Sequence, residues 1–366
     1  MLKNLARGRL AAMFAAALAA VLSTAALAAP PLKVAFVYVS PVGDAGWTYQ
    51  HDQGRLAMEK ALGDRVRTTV VESVAEGPDA ERVLRDLAAQ GHGLIFATSF
   101  GYLEPALRVA ADHPAVKFEH AGGYKTAANL STYNARYYEA RYLAGWLAGE
   151  SSKTGVAGYV AGFPVPEVVQ GINAFTLGMR AANPKAQVRV LWLNTWFDPA
   201  REREAAQALI DQGADVLTNH SGSPAVPQTA QANFKDKGVR VVAYQSDMRR
   251  YAPDAQLAAV THRWGGLYTK LAQSVIDGRW VSRPTWGGMK DGLVQLEAVA
   301  DGVPADVRQR LESRRAAIVA GSLQPFAAPL VDNTGQTRLA AGALDDAAIA
   351  QMNWFVQGVL GSVPRP

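Results

Sequence analysis

The chain has 366 residues, of which 49% are hydrophobic and 19% are charged, and its formal charge is +5. This length is typical of two domains of ~100–200 residues each, and the composition excludes a largely disordered protein. Cysteine is absent, which excludes disulfides, thiolate metal sites, a cysteine nucleophile and a lipid anchor on cysteine. The small charge, with no basic cluster interleaved with aromatic residues, argues against a nucleic-acid partner.

The N-terminus predicts a secretory signal peptide over residues 1–28. Three basic residues precede an apolar run over 10–27, which leads into a small-residue A-x-A pattern that ends at Ala28. A membrane anchor is the alternative, because the run is close to the shortest possible span of ~18 residues. Cleavage after Ala28 would leave 366 − 28 = 338 residues with a formal charge of 5 − 3 = +2. We therefore expect a soluble periplasmic protein that is not a lipoprotein.

The rest of the chain alternates predicted strands and helices in two series. In the first, short apolar runs predict strands at 33–39, 68–71, 93–97, 116–120 and 130–133, and helical spacing occurs at 53–62, 79–89, 103–112 and 136–149. In the second, strands are predicted at 155–162, 188–193, 215–219, 239–244 and 257–260, and helices at 170–182, 201–212, 226–236 and 267–276. Short, continuously apolar strands are typical of parallel sheets covered by helices on both faces. The pattern predicts two doubly wound α/β lobes.

The tail has a different pattern. An amphipathic stretch predicts a helix at 307–319, and the sequence DNTG at 332–335 predicts a hairpin turn. A second helix is predicted at 345–360. Short elements after two α/β lobes predict strands that cross back between the lobes.

Motifs of common enzyme and metal sites are missing from the sequence. It contains no G-x-G-x-x-G loop, no G-x-x-x-x-G-K-[ST] loop, no H-E-x-x-H pair and no G-x-S-x-G elbow. Its six histidines form no spaced pair of the zinc type. We therefore predict no catalytic residue, no metal and no cofactor, and we do not expect an enzyme.

Aromatic and polar residues follow the ends of several predicted strands, where ligands bind in open α/β sheets. After strands of the first series come Asp44, Trp47, Tyr49 and Phe100, and after strands of the second come Trp196, Phe197, His220, Ser223 and Asp247. Trp47 and Phe100 have the alternative of packing on the neighbouring core, and a lone histidine at a strand end is commonly structural. Together these residues predict a cleft that suits a flat heteroaromatic ligand.

Several short motifs occur in an order that resembles one protein family. They are GDAGW at 43–47, GADV at 213–216, HSGSP at 220–224, YQSDM at 244–248, WGGMKDG at 286–292 and MNWFVQGVLG at 352–361. The chain resembles the basic-membrane-protein family, the purine-receptor group of ABC-importer substrate-binding proteins, over about residues 33–364. The resemblance implies a type I periplasmic binding-protein fold, in which two lobes joined by a three-strand hinge close on a purine base or nucleoside. It also implies ABC permease subunits as partners, and a monomer suits that role.

The resemblance also implies roles for individual residues. An aromatic residue that matches Trp47 stacks on the base, and an acid that matches Asp247 holds the ribose in nucleoside binders. We predict that Asp44, His220 and Asp247 read ring nitrogens and exocyclic groups. The second face of the base would be covered by Phe100, Trp196 or Phe197.

The sequence departs from the nucleoside-binding pattern at two places. Thr48 stands where many members have asparagine, and THRW at 261–264 replaces a segment that carries a lysine. The loop at 220–224 resembles a subgroup associated with free bases such as adenine. We therefore favour a purine base, adenine-like, over a nucleoside. The alternatives are a sugar or another small polar ligand bound by the same fold, and an exported nucleoside hydrolase.

The predicted lobe boundaries are approximate. The first lobe is expected to comprise residues 32–135 and about 255–285. The second is expected to comprise residues 136–254 and about 286–366.

Overall fold

The computed structural model describes residues 30–364, so the predicted signal peptide at 1–28 lies outside the described residues. Within this range no helix is long and apolar enough to cross a membrane. The first part of the chain forms β1 (Leu32–Val37), α1 (Trp47–Leu62), β2 (Val66–Val71), α2 (Pro78–Ala89), β3 (Leu94–Ala97), α3 (Leu103–Asp112), β4 (Lys117–Ala121) and β5 (Leu130–Ala135).

The second part repeats this alternation. It forms α4 (Tyr137–Ser151), β6 (Val156–Ala161), α5 (Pro166–Ala182), β7 (Gln187–Trp192), α6 (Pro199–Asp211), β8 (Val216–His220), α7 (Ala225–Ala232), α8 (Phe234–Lys237), β9 (Arg240–Gln245) and β10 (Gln256–His262). The remaining elements are α9 (Gly265–Ile276), β11 (Thr285–Gly287), β12 (Val294–Glu297), α10 (Ala305–Ala320), β13 (Leu330–Val331), β14 (Thr337–Leu339), α11 (Asp346–Ala350) and β15 (Val359–Leu360).

The first sheet is parallel throughout and has the strand order β11-β5-β4-β3-β1-β2. Its central strand β1 is buried on both faces. Phe36 packs with the side chains of α1 and α9, and its ring stacks on Phe96 with centroids 4.5 Å apart. Val37 points to the opposite face and packs with α2 and α3. The continuous apolar run of β1 therefore serves two helical layers, as the sequence predicts.

The second sheet has the order β12-β10-β9-β8-β6-β7-β15, and all its pairs are parallel except that of β12 with β10. Two of its covering helices, α4 and α5, touch through their backbones. A Cβ atom added to Gly145 would overlap the carbonyl oxygen of Phe175, and one added to Gly178 would overlap that of Tyr142. Glycine at these two positions lets the helices approach so closely. The predicted α/β fold with parallel sheets is thus confirmed.

The chain passes between the two sheets three times, at residue 136, at 263–264 and at 288–293. The crossings follow β5, β10 and β11. Strand β10, predicted within the first lobe, pairs with β9 in the second sheet. Conversely, Trp286 and Gly287, predicted within the second lobe, pair with β5 in the first sheet. All seven residues of β10 are buried, so this strand needs a neighbour on each side, which the second sheet provides. The lobe boundaries themselves stay predictions.

The tail is only partly helical. Helix α10 contains the predicted helix 307–319, and the predicted turn at 332–335 joins the antiparallel strands β13 and β14. The helix predicted at 345–360 is wrong, because α11 ends at Ala350 and β15 pairs with β7.

The apolar residues of this last segment nevertheless recur at helical spacing. Met352, Phe355, Val356 and Val359 are all buried. This segment packs in a non-helical, extended conformation because its backbone groups have hydrogen-bond partners outside the segment. The side chain of Asn173 in α5 donates to Trp354 O at 2.7 Å and accepts from Val356 N at 3.0 Å. Because these backbone groups are already hydrogen-bonded to Asn173, the segment can be buried without forming a helix.

Candidate functional site

The candidate site is a cavity between the two sheets, at the carboxyl ends of their strands. The first sheet contributes residues that follow β1, β3 and β4, and the second contributes residues at or after β7, β8 and β9. The start of α5 closes the remaining side through Val165 and Glu167. About 560 Å³ in this region is occupied by no protein atom, space open to solvent included. The position is the one that the topology of open α/β sheets favours for ligands.

Aromatic rings from both sheets line the cavity. Trp47, at the first position of α1, donates from Nε1 to Thr98 O at 2.7 Å, which fixes the indole over the ends of β1 and β3. Phe100 follows β3 on the same side. Trp196 and Phe197 come from the second sheet, in the loop between β7 and α6. The rings therefore supply apolar walls from two directions.

A carboxylate holds the Trp196 ring in place across the sheets. Its Nε1 donates to Glu76 Oε1 at 3.1 Å, and Glu76 belongs to the loop between β2 and α2. The same carboxylate oxygen accepts from Ser99 Oγ at 2.6 Å and from Gly101 N at 2.8 Å. Glu76 thus ties an aromatic wall of the second sheet to the loop after β3 of the first.

A buried histidine and a glutamate form the main polar pair. His220 ends β8, and its Nε2 lies 3.5 Å from Oε1 of Glu167. Glu167 Oε2 accepts from Nδ2 of Asn134 at 3.0 Å, which is another contact between the sheets. Burial lowers the pKa of His220, and the attraction of Glu167 only partly opposes this shift. The imidazole is therefore neutral at pH 7.

Two buried side-chain polar atoms of the cavity residues have no hydrogen-bond partner among residues 30–364. They are Nδ1 of His220 and Oε1 of Gln245. Gln245 ends β9 with a φ of +74°, a left-handed conformation that costs a residue other than glycine about 1–3 kcal/mol. An unpaired buried polar atom also costs about 1–3 kcal/mol. A ligand that bonded to these atoms would remove part of that cost.

A buried arginine supports the strand that presents His220. Arg141 of α4 is fully buried and donates to Thr218 Oγ1 at 2.9 Å and to Asn219 O at 2.6 Å. Its guanidinium lies over the Tyr244 ring, 3.4 Å from the ring centroid. These bonds fix the end of β8 from below, so His220 has little freedom to move.

One rim of the cavity is sealed where a turn of the first sheet meets the second. Gly46 N donates to Ser246 Oγ at 2.8 Å. A Cβ atom on Gly46 would overlap the carbonyl oxygen of Gly222, and its φ of +94° also favours glycine. Asp44, two residues earlier, forms an ion pair with Arg250 at 2.6 Å. We call the contact of Gly46 with Gly222 and Ser246 the glycine seam.

The structure brings four of the eight predicted site residues together in the cavity: Trp47, Phe100, Trp196 and His220. Three others, Asp44, Tyr49 and Asp247, line a separate and more open groove beyond the glycine seam. There Asp44 bonds to Arg250 and to the Tyr251 hydroxyl, and Asp247 bonds to Arg249 and Gln256.

The eighth predicted residue, Ser223, lies behind the cavity wall. It is fully buried, and its hydroxyl bonds to Glu202 Oε2 at 2.7 Å and accepts from Ala225 N at 3.2 Å. Asp44 and Asp247 are therefore not beside His220 as expected. The turn at Gly46 places Asp44 beyond the seam, and Asp247 lies there because it follows Ser246 and bonds to Arg249 and Gln256. Any ligand contact of the eight predicted residues stays a prediction.

Sequence reasoning missed Glu167, Gln245 and Glu76. The predicted helix began at residue 170, whereas α5 begins at Pro166. Proline at the first position and an acid in the first turn mark a helix start, and that signal would have placed Glu167 at a cavity edge. Gln245 directly follows a predicted strand, so the tendency of ligands to bind at strand ends, which we call the strand-end rule, covers it as well. Nothing near Glu76 in the sequence indicates its bond to Trp196.

The fold is that of periplasmic binding proteins. A solved ABC transporter solute-binding protein from Aeropyrum pernix superposes with a TM-score of 0.70, over 82% of this chain and 94% of its own. The two sequences are 19% identical, so this likeness concerns the fold alone.

The family follows from the sequence comparison. Residues 32–323 match the Bmp family, described as ABC transporter substrate-binding proteins of the PnrA-like type. The chain belongs to this family and is a substrate-binding protein of an ABC transporter, which confirms the resemblance.

Two relatives are similar over most of their length. A purine-binding protein of Brucella abortus is 49% identical over 345 residues, which cover 94% of this chain and 97% of the relative. A protein of Haloferax volcanii, named as an ABC transporter glucose-binding protein, is 38% identical over 333 residues, which cover 91% and 81%.

Proposed function

We propose that the protein binds a purine base, adenine in particular, between its two sheets and presents it to ABC permease subunits. The observation that carries this proposal is the cavity itself, where aromatic rings from both sheets enclose a small group of buried polar atoms. A flat heteroaromatic ligand is complementary to such walls. The 49% identical purine-binding protein of Brucella abortus supports the same ligand class.

Stacking would supply much of the affinity. Trp47 is held by its bond to Thr98 O and would cover one face of the base. Trp196, held by Glu76, would cover the other face together with Phe197. Because the Trp47 indole is already fixed by a hydrogen bond within the first sheet, ordering this ring would cost little side-chain entropy on binding.

The polar atoms favour a ligand that donates hydrogen bonds. If the His220 proton lies on Nε2, facing Glu167, then Nδ1 is an acceptor, since the tautomer follows the partner. Gln245 Oε1 is a second unpaired acceptor. The exocyclic amine and ring N–H of adenine would satisfy these atoms, whereas the carbonyl of a 6-oxopurine would face acceptors. Such mismatches are costly because buried groups are left unpaired.

The position of Asp247 supports a base over a nucleoside. This residue matches the acid that holds the ribose in nucleoside-binding relatives, yet it lies beyond the glycine seam, paired with Arg249. A ribose bound there would have to pass the seam, where Gly46 touches Gly222. Opening the seam would break the bond of Gly46 N to Ser246.

Delivery rather than chemistry is the proposed outcome. The two sheets, joined by three crossings, would part to admit the base and close over it, and a permease would bind the closed form. The predicted signal peptide would place a freely diffusing monomer in the periplasm. Incubation with adenosine followed by chromatography tests the hydrolase alternative, because an enzyme would release free adenine.

Glucose is a second candidate, since the relative from Haloferax volcanii carries that name at 38% identity. Aromatic walls also suit the apolar faces of sugars, so the walls alone do not distinguish glucose from a purine. The polar side chains of the cavity distinguish the two ligands. A hexose presents hydroxyls around its whole ring, whereas the serine hydroxyls on the first-sheet side, Ser40 and Ser99, are already bonded to Thr48 and Glu76. The buried polar atoms without a partner in the cavity belong to His220 and Gln245 of the second sheet.

The test is calorimetric titration of the mature protein, after unfolding and refolding to remove bound ligand. Adenine should bind without turnover, more tightly than hypoxanthine and adenosine, and glucose should give no signal. Mass spectrometry of the molecule released on unfolding identifies any ligand that co-purifies. Binding of glucose with no response to any purine would refute the proposal.

A further inference from the structure

A second groove adjoins the base cavity. Phe100, Gly122 and Glu167 line both spaces. The groove lies near the crossing at residue 136 and is also lined by Tyr124, Asn134 and Trp286. We call it the crossing-side groove. It contains about 1,440 Å³ that no protein atom occupies, space open to solvent included.

We propose that the site accepts purines that carry an uncharged, apolar or aromatic substituent, with the substituent lying in the crossing-side groove. This inference rests on the proposed purine function and extends its ligand class. The glycine seam closes the cavity toward Asp247, and the bond of Trp196 to Glu76 closes the rim beside Ser99. The remaining side, lined by Phe100, Gly122 and Glu167, adjoins the crossing-side groove and would be the path of the substituent.

The junction has room because a glycine stands there. A Cβ atom on Gly122 would lie 3.4 Å from Glu167 Oε2 and 3.9 Å from the Phe100 ring. A larger side chain would project between the carboxylate and the ring, and would narrow the path. The same Glu167 Oε2 accepts a hydrogen bond from Asn134, which joins the two sheets at this junction.

The groove is chemically suited to an aromatic group. Tyr124 is 68% exposed, although its ring lies only 6.1 Å from that of Phe100. Trp286 is held by the guanidinium of Arg136, 4.8 Å from its ring centroid. An aryl substituent would cover exposed aromatic surface that the protein alone leaves in water.

Charge argues against nucleotides. Among the described residues that line the crossing-side groove there is no lysine or arginine, and Glu167 stands at its entrance. Two cations stand beside its aromatic residues, Arg136 at Trp286 and Lys125 at Tyr124. Both are already paired with carboxylates, Asp346 and Glu104, so a phosphate would find no free cation there in the part of the chain that the structure describes, and would lie near Glu167. The accepted substituents should therefore be neutral.

The experiment uses adenine, N6-benzyladenine, 9-benzyladenine and adenosine monophosphate in calorimetric titrations of the ligand-free protein. We expect one of the two benzyl isomers to bind within about tenfold of adenine, and the monophosphate to show no binding. Tyr124→Ala should lower the ratio of benzyl-isomer affinity to adenine affinity by about two- to tenfold, the range of one aromatic contact. Val281→Ala removes a side chain of similar exposure, 69%, outside the groove, and should leave that ratio unchanged.

The outcomes separate the two proposals. If adenine binds but both benzyl isomers lose all measurable affinity, the inference is wrong and the purine function stands. An unchanged affinity ratio in both Tyr124→Ala and Trp286→Ala would also overturn the inference. If adenine itself does not bind, the proposed function fails and the inference falls with it.

Discussion

Trp196→Phe tests whether a hydrogen bond across the sheets contributes to ligand affinity. The substitution keeps an aromatic ring at the cavity wall but removes Nε1, which donates to Glu76 Oε1 at 3.1 Å. Glu76 retains its bonds to Ser99 and Gly101, so no carboxylate oxygen becomes unsatisfied. The change therefore isolates one bond that exists only when the two sheets are together.

The magnitude follows from the type of bond. A hydrogen bond to a charged group contributes about 1.5–3 kcal/mol net. The lower end applies here, because Glu76 keeps two donors and the site is only partly buried. About 1.5 kcal/mol corresponds to about a tenfold rise in the dissociation constant for adenine.

The assay is calorimetric titration with adenine, with small-angle scattering to follow closure and thermal unfolding to establish that the variant folds. Trp192→Phe is the matched control. That indole lies in β7 and stacks on Phe355 at 6.4 Å, away from the cavity. The reasoning fails if Trp196→Phe binds adenine within twofold of the unsubstituted protein, or if the control loses as much affinity.

Three further predictions concern stacking, recognition and pH. Trp47→Ala should weaken adenine binding by about 1–3 kcal/mol, as loss of base stacking does; unchanged calorimetric affinity in a folded variant would remove Trp47 from the site. His220→Ala should weaken binding of the base itself, and a loss confined to nucleosides would instead make it a ribose reader. Burial raises the pKa of Glu119 to about 8, so the folded chain keeps a proton that the unfolded chain releases above its ordinary pKa. The free energy of unfolding should therefore fall as the pH rises from 6.5 to 8, by up to about 1.4 kcal/mol per unit from this group. Glu119→Gln should reduce that slope in urea unfolding, and an unaltered slope would contradict the assignment.

Much of the fold could be predicted because buried strands have a local signature. The run at β1 is apolar at every position from Val34 to Val37, since both faces are covered. The tail shows the limit of such reasoning. Met352, Phe355, Val356 and Val359 have helical spacing, but Asn173 and β7 satisfy the backbone of this segment. Periodicity reports which residues are buried, and it does not report where their backbone groups find partners.

Only half of the predicted site residues lie in the cavity, and the reason is similar. The strand-end rule correctly brings Trp47 and His220 to one cavity. It cannot tell on which side of a turn a residue lies. Asp44 precedes Gly46 by two residues and faces the outer groove, whereas Trp47 follows Gly46 and faces the cavity. The chain turns sharply at Gly46, where φ is positive, and this turn separates the directions of Asp44 and Trp47. The contact of Gly46 with Gly222 then closes the cavity at this rim.

Contacts that form between distant segments therefore decide what the cavity excludes. Glu76 with Trp196, Gly46 with Ser246 and Asn134 with Glu167 each join the two sheets, and their residues are 120, 200 and 33 positions apart in the chain. The first two contacts each close a rim of the cavity. The third, Asn134 with Glu167, lies where the cavity adjoins the crossing-side groove. Ligand specificity thus depends on which of these contacts a bound molecule tolerates. Because a ligand stabilises the closed arrangement only by its differential affinity for it, molecules that break the glycine seam should bind weakly even when their base fits the walls.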